Sequence, residues 1–124
     1  MCLQKSGIIK KMSAGITYKQ RDIVLMPFPY TDLTAAKKRP ALIVSNNSIN
    51  SSEDRICCLI TSKESFDGLL LDELEGSLPL KSWVKPHRIF TINKKIIMKK
   101  LCSITPRMYE KVLMQIHEHL KEES

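Results

Sequence analysis

The stretch RDIVLMPFPYTDLTAAKKRPALIVSNN, residues 21–47, holds two short apolar runs, DIVLMPF and PALIVS, with a polar and basic segment between them. Runs of this length bounded by turn-forming residues read as strands, so the stretch predicts a hairpin of residues 22–28 and 40–45 with a long loop. That loop ends in Lys37, Lys38 and Arg39, three consecutive cations set hard against a strand. Loops carried by a rigid scaffold are where binding and chemistry gather. Two readings of the cations stay open at this point: a solvated loop end, or a site for an anion.

Working outward, the polar tract NNSINSSEDR is rich in residues that favour turns, and ICCLIT (residues 56–61) follows it as a further central strand. Residues 62–76 mix Leu and Glu with Gly68 and read as an excursion. SLPLKSW, HRIFTI and KKLCSI then give three more short strands, with NKK (residues 93–95) as a turn. The clear helix is the last element. Thr105 can cap it, Pro106 suits its first position, and Tyr109, Val112, Leu113, Ile116 and Leu120 fall on one apolar stripe. The fold class is therefore mainly β with helices (α+β), a small β-barrel closed on one side by a C-terminal helix. Residues 1–20 read as a flexible lead-in carrying Lys5, Lys10, Lys11 and Lys19, and residues 21–121 as one domain.

A chain of 124 residues is the usual size of one domain, and 20 Lys plus Arg against 13 Asp plus Glu leave a net charge of +7. That excess favours a polyanionic partner or serves solubility alone. No segment approaches the ~20 apolar residues of a membrane span, and the N-terminal stretch has too short an apolar core for a signal peptide, so no membrane partner and a cytoplasmic location are expected. Cys2, Cys57, Cys58 and Cys102 form no C-x-x-C pair, and neighbours such as Cys57 and Cys58 point to opposite faces of a strand. They read as small buried hydrophobes. His117 and His119 face different ways on a helix. With no cluster of metal ligands in view, neither a metal nor another cofactor is expected.

The order of RDIVLMPFPYTDLTAAKKRPALIVSNN, then LITS, then KPHRIFTI and a terminal helix resembles the MazF/PemK family of toxin ribonucleases over about residues 20–120. The resemblance implies an SH3-like barrel that forms a homodimer. It also implies metal-independent cleavage of single-stranded RNA or mRNA, leaving 2′,3′-cyclic phosphate and 5′-hydroxyl ends, and neutralisation by a cognate antitoxin. Carried over residue by residue, it makes Arg39 and Thr61 the catalytic pair, acting on the scissile phosphate, with Ser62 beside them. Lys37, Lys38, Lys85, His87 and Arg88 become candidate RNA contacts, and Trp83, Tyr30 and Phe28 candidates for stacking on bases, Phe28 being better placed in the core. Two positions depart from the family pattern: Arg21 stands where a glycine is common before Asp22, and Phe90 where an arginine is common. Two other readings keep the architecture, a CcdB-like toxin that poisons gyrase and a barrel that binds RNA without cleaving it.

Overall fold

The structure, a computed structural model, describes residues 15–28 and 37–123. Its seven strands are β1 (Asp22–Phe28), β2 (Lys37–Ile43), β3 (Asp54–Thr61), β4 (Leu69–Leu70), β5 (Leu74–Glu75), β6 (Trp83–Asn93) and β7 (Lys99–Ile104). They form one antiparallel sheet in the order β4-β6-β3-β2-β1-β7-β5. A short helix α1 (Asn47–Asn50) follows β2, and α2 (Pro106–Leu120) closes the chain.

The central strands are apolar without alternation because both of their faces are covered. Ile23, Leu42, Cys58 and Ile60 pack on one face with Met108, Val112 and Ile116 of α2. Val24, Met26, Ile43, Cys57 and Ile92 form a second cluster, with Tyr18 and Phe90 packed against it. Cys57 and Cys58 thus point opposite ways, both fully buried, and burial pushes each thiol up to about 12. The sheet is strongly curled. Phe28 on β1 and Phe90 on β6 have β2 and β3 between them in the strand order, yet their ring centroids lie 6.4 Å apart.

Several elements differ from the sequence reading. The second strand runs over Lys37–Ile43 rather than 40–45, so Lys37, Lys38 and Arg39 are strand residues paired with Phe28, Pro27 and Met26. Exposed cations on an outer strand end satisfy the ladder as well as apolar residues do, and their charge misleads. SLPLKSW is not a strand before Trp83. Gly76 turns the chain at φ 109, where an added Cβ would meet the Cβ of Cys102 at 2.9 Å, and Leu78 packs on the core from an irregular segment. On α2 the buried stripe is Met108, Val112 and Ile116, with Leu113 and Leu120 exposed. The Tyr109 hydroxyl, at the edge of that stripe, donates to the Val44 carbonyl at 2.8 Å.

Residues 15–20, read with the lead-in, are bonded to the domain. Arg55 is fully buried, and its guanidinium donates to the carbonyls of Tyr18 at 2.8 Å and Thr17 at 2.7 Å, as well as to those of Ser52 and Asp54. Arg21, just before β1, adopts φ 81. Its side chain donates to the Ile104 carbonyl at 2.8 Å and lies 3.6 Å from Glu75, contacts that offset a conformation costly for a side chain.

Candidate active site

The three pairs Ala41↔Leu59, Leu42↔Cys58 and Ile43↔Cys57 fix the register of β2 on β3. The pairing ends at Ala41 and Leu59, two residues short of Arg39 on β2 and of Thr61 on β3. Pro40 lies between and has no N–H to give, which accounts for the ladder stopping there. Lys38, Arg39 and Ser62 line one groove of about 410 Å³, whose apolar wall includes Ile60, Leu78 and Leu80. The Lys63 backbone N–H donates to the Thr61 hydroxyl oxygen at 3.1 Å. With one lone pair engaged, that hydroxyl keeps its proton to donate elsewhere.

The third part of the site comes from an irregularity in β6. Cys58 pairs with Ile89 and the next residue, Leu59, with Lys85, so Pro86, His87 and Arg88 are looped out of the ladder. Such bulges re-aim side chains. Here His87 and Arg88 reach the rim of a second hollow, about 270 Å³, walled by Phe28, Leu59, Ile89 and Phe90. Lys85, the register partner of Leu59, stands beside it. Lys37, the partner of Phe28, stands on the other side.

Of the candidate residues, Lys38, Arg39 and Ser62 line one groove and His87 and Arg88 the other hollow, while Thr61 directly precedes Ser62 and Lys37 and Lys85 are the register partners of Phe28 and Leu59. Besides Lys85 and Arg88 near it in the sequence, His87 has an acidic neighbour. Asp67, on the turn before β4, lies 3.6 Å from His87 and 3.8 Å from Lys85. A hydrogen bond from the Ser65 hydroxyl, with Lys85 and His87 adding to it, holds the Asp67 carboxyl below the usual carboxylate range. His119 of α2 meets the His87 ring edge-on at 5.9 Å. Among the described residues Lys37, Lys38, Arg39 and Arg88 have no carboxylate within ion-pair distance, whereas Lys95 and Lys100 are paired with Glu53 and Asp22.

Trp83 is half-buried, is the register partner of Thr61 and carries the Lys81 ammonium 5.8 Å from its ring centroid. Tyr30 lies outside the described residues. Phe28 is half-buried at the hollow rather than inside the core. Phe90 and Asp67 went unread as site residues, because an isolated Phe in a strand signals core and Asp67 is 18 residues from Lys85. Among the described residues no three His, Cys, Asp or Glu side chains gather in a group that could hold a metal ion. Among the described residues no helix is long and apolar enough to cross a membrane.

The model of the PemK-like, MazF-like toxins of type II toxin–antitoxin systems matches residues 19–120. No protein of curated function matches the sequence. Among solved structures, an endoribonuclease from a mycobacterial species is 25% identical with a TM-score of 0.63, over 85% of this chain and 93% of that one. A mycobacterial endoribonuclease in complex with its cognate antitoxin is 21% identical with a TM-score of 0.68, over 86% of this chain and 100% of the other. A MazE–MazF complex from Deinococcus radiodurans is 17% identical with a TM-score of 0.65, over 86% and 97%. The last two show a shared fold.

Proposed function

The chain belongs to the PemK-like, MazF-like toxins of type II toxin–antitoxin systems, and from that membership we propose that it is an endoribonuclease cleaving single-stranded RNA without a metal ion. The domain of residues 21–121 carries the activity, with single-stranded mRNA as substrate, a cognate antitoxin as inhibitor and a second copy as partner, in the cytoplasm. The observation that supports the reading is that Arg39 and Thr61 each lie two residues beyond the last β2–β3 pair, Ala41↔Leu59, with Arg39 and Ser62 lining one groove.

In this reaction the RNA 2′-oxygen attacks the adjacent phosphorus and the bond to the 5′-oxygen breaks. In net, the 2′-hydroxyl proton ends on the leaving oxygen, giving a 2′,3′-cyclic phosphate and a 5′-hydroxyl. Negative charge grows on the phosphate oxygens during attack, so donors fixed in advance at those oxygens lower the barrier. The Arg39 guanidinium, always charged and with a planar fork of donors, fits two phosphate oxygens. The Thr61 hydroxyl, its oxygen already bonded by the Lys63 N–H, donates to one of them. No protein group has to become a covalent nucleophile. Lys37, Lys38, Ser62, Lys85, His87 and Arg88 hold the flanking backbone.

Sequencing the ends of RNA incubated with purified protein tests this. Ends bearing cyclic phosphate and 5′-hydroxyl at recurring short sequences are expected, unchanged by EDTA. Intact RNA, or cleavage lost with EDTA and restored by a divalent ion, would overturn the corresponding part.

A further inference from the structure

The cations assigned to RNA differ in what they face. Among the described residues Lys37, Lys38, Arg39 and Arg88 have no carboxylate within ion-pair distance, whereas Lys85 and His87 converge on one, that of Asp67. The Lys85 ammonium lies 3.8 Å from Oδ1 and His87 Nε2 lies 3.6 Å from Oδ2, so each oxygen faces a different partner. A closed turn delivers the carboxylate there. The Gly68 N–H donates to the Ser65 carbonyl at 3.1 Å, and the Ser65 hydroxyl donates to Asp67 Oδ1. Gly68 lets the turn lie close on β6, since a Cβ at that position would stand 3.2 Å from the Val84 carbonyl oxygen and 3.3 Å from the Trp83 Cβ. From α2, His119 lies against the His87 ring with centroids 5.9 Å apart. The Asp67 and His87 side chains remain 42% and 37% exposed, so a dissolved anion can reach the pair.

We propose that Asp67 is an internal competitor for RNA: in the free protein its carboxylate occupies the place that a backbone phosphate takes between Lys85 and His87. The proposal rests on the ribonuclease reading and adds a regulation of substrate binding to it. A carboxylate and a phosphodiester each spread one negative charge over two terminal oxygens, and both suit the same pair of cationic donors. A close charge-assisted bond spans about 2.7–2.9 Å, and Asp67 stands back from both of its partners. An exposed ion pair holds its members by roughly a factor of five at most. Lys85 is charged throughout, while His87 joins the pair only when protonated. A phosphate that comes closer than Asp67 therefore displaces it at small cost. A strand that touches the free cations alone leaves the pair closed, and a strand seated along the Pro86–Arg88 bulge opens it.

The test is the affinity for a fluorescein-labelled 2′-O-methyl oligoribonucleotide of mixed sequence, which binds but cannot be cleaved, read by anisotropy at pH 7 over a series of salt concentrations. Asp67→Asn keeps the size of the side chain and removes its charge. It should tighten binding roughly twofold to tenfold at low salt. It should also steepen the fall of log affinity with log salt, by roughly 0.7 for each cation released. Asp67→Ser repeats the measurement should the asparagine variant fail to fold as judged by circular dichroism. In a Lys85→Gln background, where the permanent cation is gone, the gain from Asp67→Asn should shrink. Equal or weaker binding by the folded Asp67→Asn protein overturns the proposal, and weaker binding would make Asp67 a residue that positions the bulge. A gain undiminished by Lys85→Gln overturns it as well. Unmodified RNA cut by the parent, with Asp67→Asn binding no tighter, would leave the ribonuclease reading standing and this one fallen. Tighter binding by Asp67→Asn with no RNA cut would do the reverse, and an oligonucleotide that neither protein binds would overturn both.

Discussion

Arg39 and Arg55 are two arginines on neighbouring strands with opposite circumstances. Arg39 is exposed on β2, at the rim of a groove. If it stabilises charge that develops only during attack, Arg39→Ala should cost about two to four kcal/mol of that stabilisation, a rate lower by roughly 1.5 to 3 orders of magnitude. RNA binding should change far less. Arg39→Lys should remain badly impaired, since a point charge lacks the fork. Single-turnover cleavage by variants that fold as judged by circular dichroism is the measurement, and a parental rate for Arg39→Ala would end the assignment. Arg55 is the reverse case, a guanidinium spent wholly on carbonyls of its own chain, four of which it bonds. Nothing in the local sequence announces this, because arginine is almost never fully buried.

At the scale of elements, legibility followed local rules. β7 and the start of α2 were readable to the residue because each is bounded by its own chemistry: Lys99 and Ile104 frame a run of strand formers, and Thr105 caps a helix opened by Pro106. The cap is made as expected, the Met108 N–H donating to the Thr105 hydroxyl at 3.1 Å. Thr105→Ala should therefore destabilise the fold by about 1 kcal/mol, seen as a lower urea midpoint with an unchanged slope. No change in midpoint would mean that the bonds of Glu73 to the Thr105 backbone N–H and to Lys111 carry the helix start instead. What could not be read depended on pairing at a distance. The Pro86–Arg88 bulge is invisible in KPHRIF because only the partner β3 defines which residues are surplus. The start of β2 was hidden by three lysine and arginine side chains that look like loop. The candidate catalytic pair was legible only through the family resemblance, since a Thr closing a strand and an Arg before Pro are each ordinary alone.

For the whole molecule, the doubly covered sheet has a consequence at high pH. Burial, with Cys58 adding to it, pushes the Cys57 thiol up from an ordinary 9.0 to about 12, and burial does the same to Cys58. Below about pH 9 both folded and unfolded chains keep these protons, and the full stability is present. Between about pH 9 and 12 the unfolded chain sheds them while the folded one does not, so stability falls as pH rises, by at most about 1.4 kcal/mol per pH unit for each thiol. Urea titrations at pH 8 and 10 should show this loss, and a Cys57→Ala, Cys58→Ala variant should show a shallower one. An equal slope in both proteins would place the alkaline sensitivity elsewhere. The outer boundary of the same sheet has a different bearing. It ends in β4 on one side and β5 on the other, two residues each. β4 pairs with β6 only at Trp83 and Val84, and β5 with β7 only at Ser103 and Ile104. Among the described residues no other strand pairs with the remaining outer edge of β6, whose main-chain groups are therefore left for an extended inhibitor segment to add to. A synthetic inhibitor segment N-methylated at alternate amides should accordingly bind at least about tenfold more weakly than its unmodified parent, and equal binding would show that the segment is held over the faces instead.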